Sequence, residues 1–401
     1  MKQISRGLGP AAVIAITVIA ATAVRADDGD QGQQSNRYVV TALVSDVPIK
    51  GMNPTIDTVL QNSWGVAFSP AGSPFWIADN ATGCATLYGG DGAKVQLQVG
   101  IPLPNNVVPT TSCKTVDPNN PPMNAAPTGI IWNPSSAFAV PGTKSMTNPN
   151  GIAAAFIFDT EDGTLSAWAG GLTNAVIAAD NSASGAVYKG LAYGVNVNGF
   201  FLFATNFNAG RIDVFGPPKV PGDSGPAGLF TPATTDGGFT DPDIPAGFAP
   251  FGIENIDGDL FVTYAKQILP AKHDDMAGPG NGFVDVFDTD GHLLRRFASR
   301  GPLNSPWGVT RASFAFGRFS GDILVGNFGN GKINVFNSRG RFIDELDRPN
   351  GKTLVIDGLW KLTLGGGRTS SSDTLYFTAG PNGEKDGLFG TITPVSDNND
   401  N

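Results

Sequence analysis

The chain has 401 residues, 53 of them Gly and 30 Pro, with 26 basic against 35 acidic side chains, 15% charged residues and a formal net charge of −9. An acidic chain of this kind lacks the Lys and Arg surplus that neutralises phosphates, which argues against nucleic acid and leaves solubility as the plain meaning of the charge. With 2 His in the whole chain, a multi-histidine metal site or a triad supported by further histidines has almost no material.

At the N-terminus, Lys2 and Arg6 precede an apolar run from Leu8 to Ala23, and the short stretch Val24-Arg25-Ala26 follows. This is the layout of a secretory signal peptide over 1–26, cleaved after Ala26 or after Ala23. A membrane anchor is the competing reading, but the run falls short of the roughly 20 apolar residues a span needs. Removal takes away three bases and no acid, moving the charge from −9 to −12. The product is expected to be exported, periplasmic or extracellular.

A strand over 38–44 comes next, and then an element that recurs six times. A Gly is followed by apolar residues, a loop, and a strand of aromatic and β-branched residues: Trp64-Gly65-Val66 before Phe75-Trp76-Ile77 is the first copy, and Trp307-Gly308-Val309 before Ile323-Leu324-Val325 the fifth. The glycines, Gly65, Gly129, Gly190, Gly252, Gly308 and Gly358, lie 50 to 64 residues apart. Within a unit a third strand alternates with period two, as in Phe283-Val284-Asp285-Val286-Phe287, and Gly turns such as Asp288-Thr289-Asp290-Gly291 lead to a fourth. A repeat of four antiparallel strands that cannot bury its own apolar face predicts an all-β fold, a six-bladed β-propeller over 27–394, with 395–401 a disordered polar tail. The last unit ends after its third strand, so the strand at 38–44 is expected to complete it and close the ring.

Cys84 and Cys113 fall in loops that such a blade places on one rim, here called the top, and pairing is the default in an oxidising compartment; two buried thiols are the alternative. A loop of about 30 residues closed in this way stabilises by roughly 3 to 4 kcal/mol. The insertions at 100–127, 241–250 and 266–282 fall on the same rim, where binding loops on a rigid scaffold are expected, although 133–151 falls on the other.

The residue before each repeated Gly begins an innermost strand and is expected to surround the channel mouth: Trp64, Thr128, Lys189, Phe251, Trp307 and Asp357. Aromatic faces with one cation and one anion suit an amphipathic ligand such as a glycan. The alternative is that the aromatics plug the channel and Lys189 pairs with Asp357. Asp79, Asn80, Asp159, Asn206 and Asn327 recur at the end of the second strand as secondary candidates for binding a cation or a sugar, or simply as turn formers. His273-Asp274-Asp275 could donate ligands to a cation, yet a plain polar loop tip has the same sequence; Glu161-Asp162-Gly163 is a turn before it is a ligand set.

Six-bladed propeller lactonases and esterases often hold calcium at the channel centre with Asn, Asp and Glu. Calcium takes six to eight oxygen ligands, whereas the six mouth positions here carry no Asn or Glu. No metal and no cofactor is therefore expected.

The segments Asn62-Ser63-Trp64-Gly65, Phe75-Trp76-Ile77-Ala78-Asp79-Asn80, Thr263-Tyr264-Ala265-Lys266-Gln267, Ser305-Pro306-Trp307-Gly308 and Phe377-Thr378-Ala379-Gly380-Pro381-Asn382 resemble a family of exported bacterial six-bladed β-propellers akin to NHL-repeat-type propellers. The resemblance spans 38–393 and implies that fold and export; it transfers no catalytic residue. The functional expectation is a secreted, non-catalytic, monomeric propeller that binds a glycan, peptide or cell-surface protein through its top rim and channel mouth. The alternative is an exported hydrolase or lyase acting on a lactone, ester or polysaccharide with channel carboxylates and Lys189, with or without a divalent metal.

Overall fold

Alternating apolar residues in short segments separated by Gly turns fold here as a propeller of six four-stranded antiparallel blades, and the two-residue strand Thr55–Ile56 adds in parallel to the outer edge of the last. The computed structural model describes residues 35–146, 148, 151–216 and 230–395; the expected signal peptide and nearly all of the polar tail lie outside them. Blade 1 comprises Ser63–Ala67, Phe75–Asp79, Cys84–Tyr88 and Lys94–Gly100, and blade 2 Pro127–Trp132, Phe156–Thr160, Thr164–Trp168 and Val176–Asp180. Blade 3 comprises Tyr188–Asn196, Gly199–Asn206, Arg211–Gly216 and Thr231–Ala233, and blade 4 Phe248–Ile256, Asp259–Lys266, Gly282–Phe287 and Leu293–Ser299. Blade 5 is Pro306–Arg311, Ile323–Asn327, Ile333–Phe336 and Phe342–Glu345. Blade 6 takes Leu359–Leu364, Leu375–Ala379 and Leu388–Pro394 from the end of the chain, and Tyr38–Ser45 from its beginning.

That last pairing is the ring closure. Tyr38–Ser45 runs antiparallel to Leu388–Pro394, from Tyr38 opposite Pro394 to Ser45 opposite Leu388, so the third strand of blade 6 is not left as an open edge. The Tyr38 hydroxyl donates to the Phe316 carbonyl at 3.0 Å, anchoring the closing strand to blade 5.

Each blade buries both faces against its neighbours. Trp76, Phe156 and Trp168 fill the gap between blades 1 and 2, and Phe203, Phe239 and Phe287 that between blades 3 and 4. Tyr38, Phe316 and Phe377 sit between blades 5 and 6, and Phe75, Tyr376 and Phe389 between blades 6 and 1. Burying one such ring stabilises by roughly 1.5–3 kcal/mol, so the blades hold one another and none has a core of its own.

A common irregularity marks the innermost strands. In each blade the pairing between the first and second strand skips two residues: Trp64-Gly65, Thr128-Gly129, Lys189-Gly190, Phe251-Gly252, Trp307-Gly308 and Trp360-Lys361. Such a bulge turns the first residue of the pair toward the axis and presses the second against the next blade. A Cβ on Gly252 would lie 2.2 Å from the Trp307 carbonyl oxygen, and one on Gly308 2.4 Å from that of Trp360. In five blades the repeated Gly is therefore a close-approach residue. Blade 6 carries Lys361 at this position, and its Gly358 lies in the preceding turn.

Candidate functional site at the top of the channel

The first bulge residues of four blades are aromatic, and they seal the channel. Trp64 and Trp360 stack with ring centroids 3.5 Å apart, Trp307 meets both edge-on at 6.1 and 5.8 Å, and Phe328 stacks on Trp360 at 3.9 Å. Phe251 and Phe207 complete the plug. Trp64 is 2% and Trp307 5% exposed. The alternative of plugging aromatics is thus the one realised at this level. The Trp307 indole donates to the Lys189 carbonyl at 2.8 Å, while the Trp64 Nε1 is buried without an acceptor.

Above the plug, loops from blades 1, 2, 4 and 6 bring polar side chains together. Trp360 Nε1 donates to Asn62 Oδ1 at 3.2 Å, and Asn62 Nδ2 donates to Glu384 at 2.9 Å and to Asn80 Oδ1 at 3.2 Å. Asn80 Nδ2 in turn donates to Glu161 Oε2 at 2.9 Å, and Lys189 Nζ donates to Glu161 Oε1. Asp274 lies 3.9 Å from Lys189 Nζ and accepts from His273 Nδ1 at 2.8 Å. Lys189, 3% exposed along its side chain, also lies 5.2 Å from the Trp64 ring centre, a cation–π distance.

Two pieces of backbone strain aim this network. Asn62 has φ 48°, which Asn tolerates. In the turn at 381–384 three consecutive residues are left-handed: Asn382 (59°), Gly383 (65°) and Glu384 (65°). For a Glu that conformation costs roughly 1–2 kcal/mol, and here it presents Glu384 to Asn62.

Carboxylates outnumber cations at the site, and burial tunes them. Burial pushes Glu384 up to about 7, assisted by the Glu161 charge and opposed by the Asn62 bond and Lys189. Asp275 is raised mainly by burial. His273 is raised mainly by its bond to Asp274, which is lowered by the same bond. Glu161, His273 and Asp274 each bring one ligand atom to within 4.8 Å of one another. Lys189 Nζ takes up the charge of one of these carboxylates, Glu161, and leaves the others of the rim in surplus.

The predicted residues divide clearly. Lys189 and Asn80 are in the network. The Thr128 hydroxyl lies 2.9 Å from both the Asp159 carboxyl and the Tyr188 carbonyl, tying blade 2 to blade 3. Phe251, Trp64 and Trp307 are plug residues. Asp357 is a correction: it is exposed, accepts from the Asn382 amide at 2.8 Å, and does not pair with Lys189. Trp360 occupies the sixth position instead. Asp79 accepts from the Thr86 amide and hydroxyl at 3.1 and 2.6 Å, and Asp159 from the Gly129 amide at 2.6 Å. Asn206 holds Asp213 at 2.8 Å, and Asn327 binds the Pro302 carbonyl at 2.8 Å. These four organise turns and bulges. Cys84 and Cys113 form a disulfide, which fastens the long loop after blade 1 to the top rim.

Sequence reasoning missed Asn62, Trp360 and Glu384, read Glu161 as a turn, and left His273 between a cation ligand and a polar loop tip. For Trp360 a signal exists: Trp360-Lys361-Leu362 aligns with Trp64-Gly65-Val66 if the Trp, rather than the Gly, is taken as the marker. Glu384 had none, because only the left-handed turn brings it inward.

Fold and ring closure thus define a six-bladed β-propeller with a sealed channel and a polar top. The chain is 31% identical over 340 residues to Uncharacterized protein R648 of Acanthamoeba polyphaga mimivirus, covering 84% of this chain and 76% of that protein, and it belongs to the same family. Two further mimivirus proteins, R640 and L690, are 32% identical over 248 residues and 34% over 206; the chain spans 44% and 51% of their lengths. These relatives are viral, not the bacterial proteins that the resemblance implied. No family model matches. Among solved structures, the chain is similar to the gluconolactonase XC5397 of Xanthomonas campestris (13% identity, 84% of this chain and 88% of that one, TM-score 0.39). It is also similar to the Neurospora crassa Pan2 WD40 domain (11%, 90% and 97%, 0.43) and to the PQQ-bound aldose sugar dehydrogenase of Streptomyces coelicolor (10%, 90% and 99%, 0.40). Likeness at this level carries no activity across.

Proposed function

We propose that the protein is an exported, monomeric, non-catalytic binding propeller, periplasmic or extracellular, of the NHL-like kind, whose top face recognises a basic peptide segment of a surface partner. The observation that carries this reading is the convergence of Glu161, Asp274, Asp275 and Glu384 from three blades around one buried cation, Lys189. A rim with surplus carboxylates on a sealed, rigid base attracts Lys and Arg side chains. A glycan is the competing ligand. Peptide and glycan arrays probed with the protein and with Glu161→Gln/Glu384→Gln test both: binding to basic peptides that weakens with salt and drops in the variant is expected. Retention of the same peptides by the variant, or selection of glycans alone, overturns it.

One observation favours the hydrolase or lyase reading. A carboxyl held near 7, as Glu384 is, suits general acid–base work, with Lys189 and His273 close by. Turnover of a lactone, ester or polysaccharide that disappears in Glu384→Gln decides for it.

A further inference from the structure

The bottom of the same channel is open, and its chemistry is unlike that of the top. Below the bulges, the second halves of the inner strands splay around a cavity of about 420 Å³ lined by Phe68, Trp132, Leu191, Tyr193, Glu254 and Lys361 among others. That volume lies in the range of small-molecule sites.

Lys361 is the exceptional residue of the ring, standing where the other five blades carry Gly. Its ammonium meets Glu254 Oε2 and lies 5.8 Å from the Trp307 ring, beneath the plug. The Lys side chain is 12% exposed and that of Glu254 32%. Among the described residues, Nζ has that one hydrogen-bond partner, so two of its three donors are unused. A mostly buried ammonium with spare donors is costly unless something accepts from it. Beside it stands a carboxylate, which accepts only. The pair therefore offers a donor and an acceptor side by side, with half-buried aromatic rings above them.

We infer that this cavity is a binding site for a single neutral, hydroxyl-rich ring, a monosaccharide. Each sugar hydroxyl both donates and accepts, so neighbouring hydroxyls satisfy Lys361 and Glu254 together, while the C–H face of the ring packs on Trp132, Tyr193 or Phe68. A carboxylate-bearing ligand would meet Glu254 and the nearby Asp257, also at the cavity. An organic cation would meet Lys361. The inference does not depend on the reading of the top face.

The test is calorimetric titration, with tryptophan fluorescence in parallel, using glucose, galactose and mannose, their uronic acids and amino sugars, and benzoate. Saturable binding of at least one neutral sugar is expected, weakened tenfold or more by Lys361→Met and by Trp132→Ala and unchanged by Glu161→Gln on the top face. Should Lys361→Met fail to fold, Trp132→Ala carries the same expectation from a half-buried side chain. Absence of saturable binding by every neutral sugar overturns the inference. So does preference for a uronic acid, an amino sugar or benzoate, or unchanged affinity in a folded Lys361→Met variant.

Discussion

The two ends of one channel are built from the same six strands, yet one is sealed and the other hollow. At the top, the first bulge residues of four inner strands, Trp64, Phe251, Trp307 and Trp360, fill the axis. At the bottom, the strands have diverged, and residues such as Val66, Ile130 and Leu191 line a cavity instead of meeting. Because neighbouring strands in a blade twist, a ring of inner strands can pack tightly only at one level. The tightest packing on the axis therefore lies at the top.

The largest expected effects fall on the tight level. Trp360→Ala removes a ring that stacks on both Trp64 and Phe328 and the donor that holds Asn62. We expect a loss of about 3–5 kcal/mol in denaturant unfolding. Trp132→Ala, on the open level, is expected to cost about 1 kcal/mol. Equal costs would mean that the ends are not mechanically distinct. Next comes the covalent tie of the top rim: Cys84→Ala/Cys113→Ala is expected to cost roughly 3 kcal/mol on the chain-entropy account of a loop this long, while leaving any ligand at the bottom bound as before.

The bulge supplies a third contrast. Gly308→Ala drives a Cβ to within 2.4 Å of the Trp360 carbonyl oxygen, and a loss of about 1–3 kcal/mol is expected as the blades part. Lys361→Gly, at the equivalent position of blade 6, is expected to cost only about 0.5–1 kcal/mol. Thermal melts of the two variants side by side check this. A large loss for Lys361→Gly would make the Lys361 and Glu254 pair part of the scaffold.

Blade number and ring closure were legible because period-two strands, Gly turns and one orphan N-terminal strand are local signals that all agree. The fourth strands of blades 2 and 3, Val176–Asp180 and Thr231–Ala233, carry little apolar alternation and were not read. The sixth channel position was misplaced because Gly serves two roles here. Gly358 has φ 64° and sits in a turn against the Gly380 carbonyl of its own blade, whereas Gly252 and Gly308 sit in bulges against the carbonyls of the next blade, and the sequence marks both with the same letter. The polar network was the least legible part. Asn62, Glu161 and Glu384 are scattered over more than 300 positions and are joined only by the ring.

The last expected effect is the most specific. The second-strand residue opposite the bulge binds its own bulge or the next blade. The Thr263 hydroxyl accepts from the Gly252 amide at 2.8 Å, and the Thr205 hydroxyl donates to the Phe251 carbonyl at 2.8 Å. Thr378 likewise accepts from the Lys361 amide at 3.2 Å. Blade 2 uses Asp159 there, and burial pushes its carboxyl up to about 7, with the Thr128 and Gly129 bonds opposing. A carboxyl raised in the folded state above its unfolded value of about 3.9 binds its proton more tightly when folded. Its stabilisation is therefore complete below pH 4 and is lost as pH rises through about 7. Asp159→Thr keeps an acceptor for Gly129 without a titrating group. The stability difference between wild type and variant is expected to move in the variant's favour from pH 4 to pH 8, read from denaturant midpoints at each pH. Taking the difference cancels Glu384, Asp285 and Asp46, which are raised to about 7, 7 and 6 and titrate in both proteins. A difference independent of pH would mean that Asp159 stays charged between the blades.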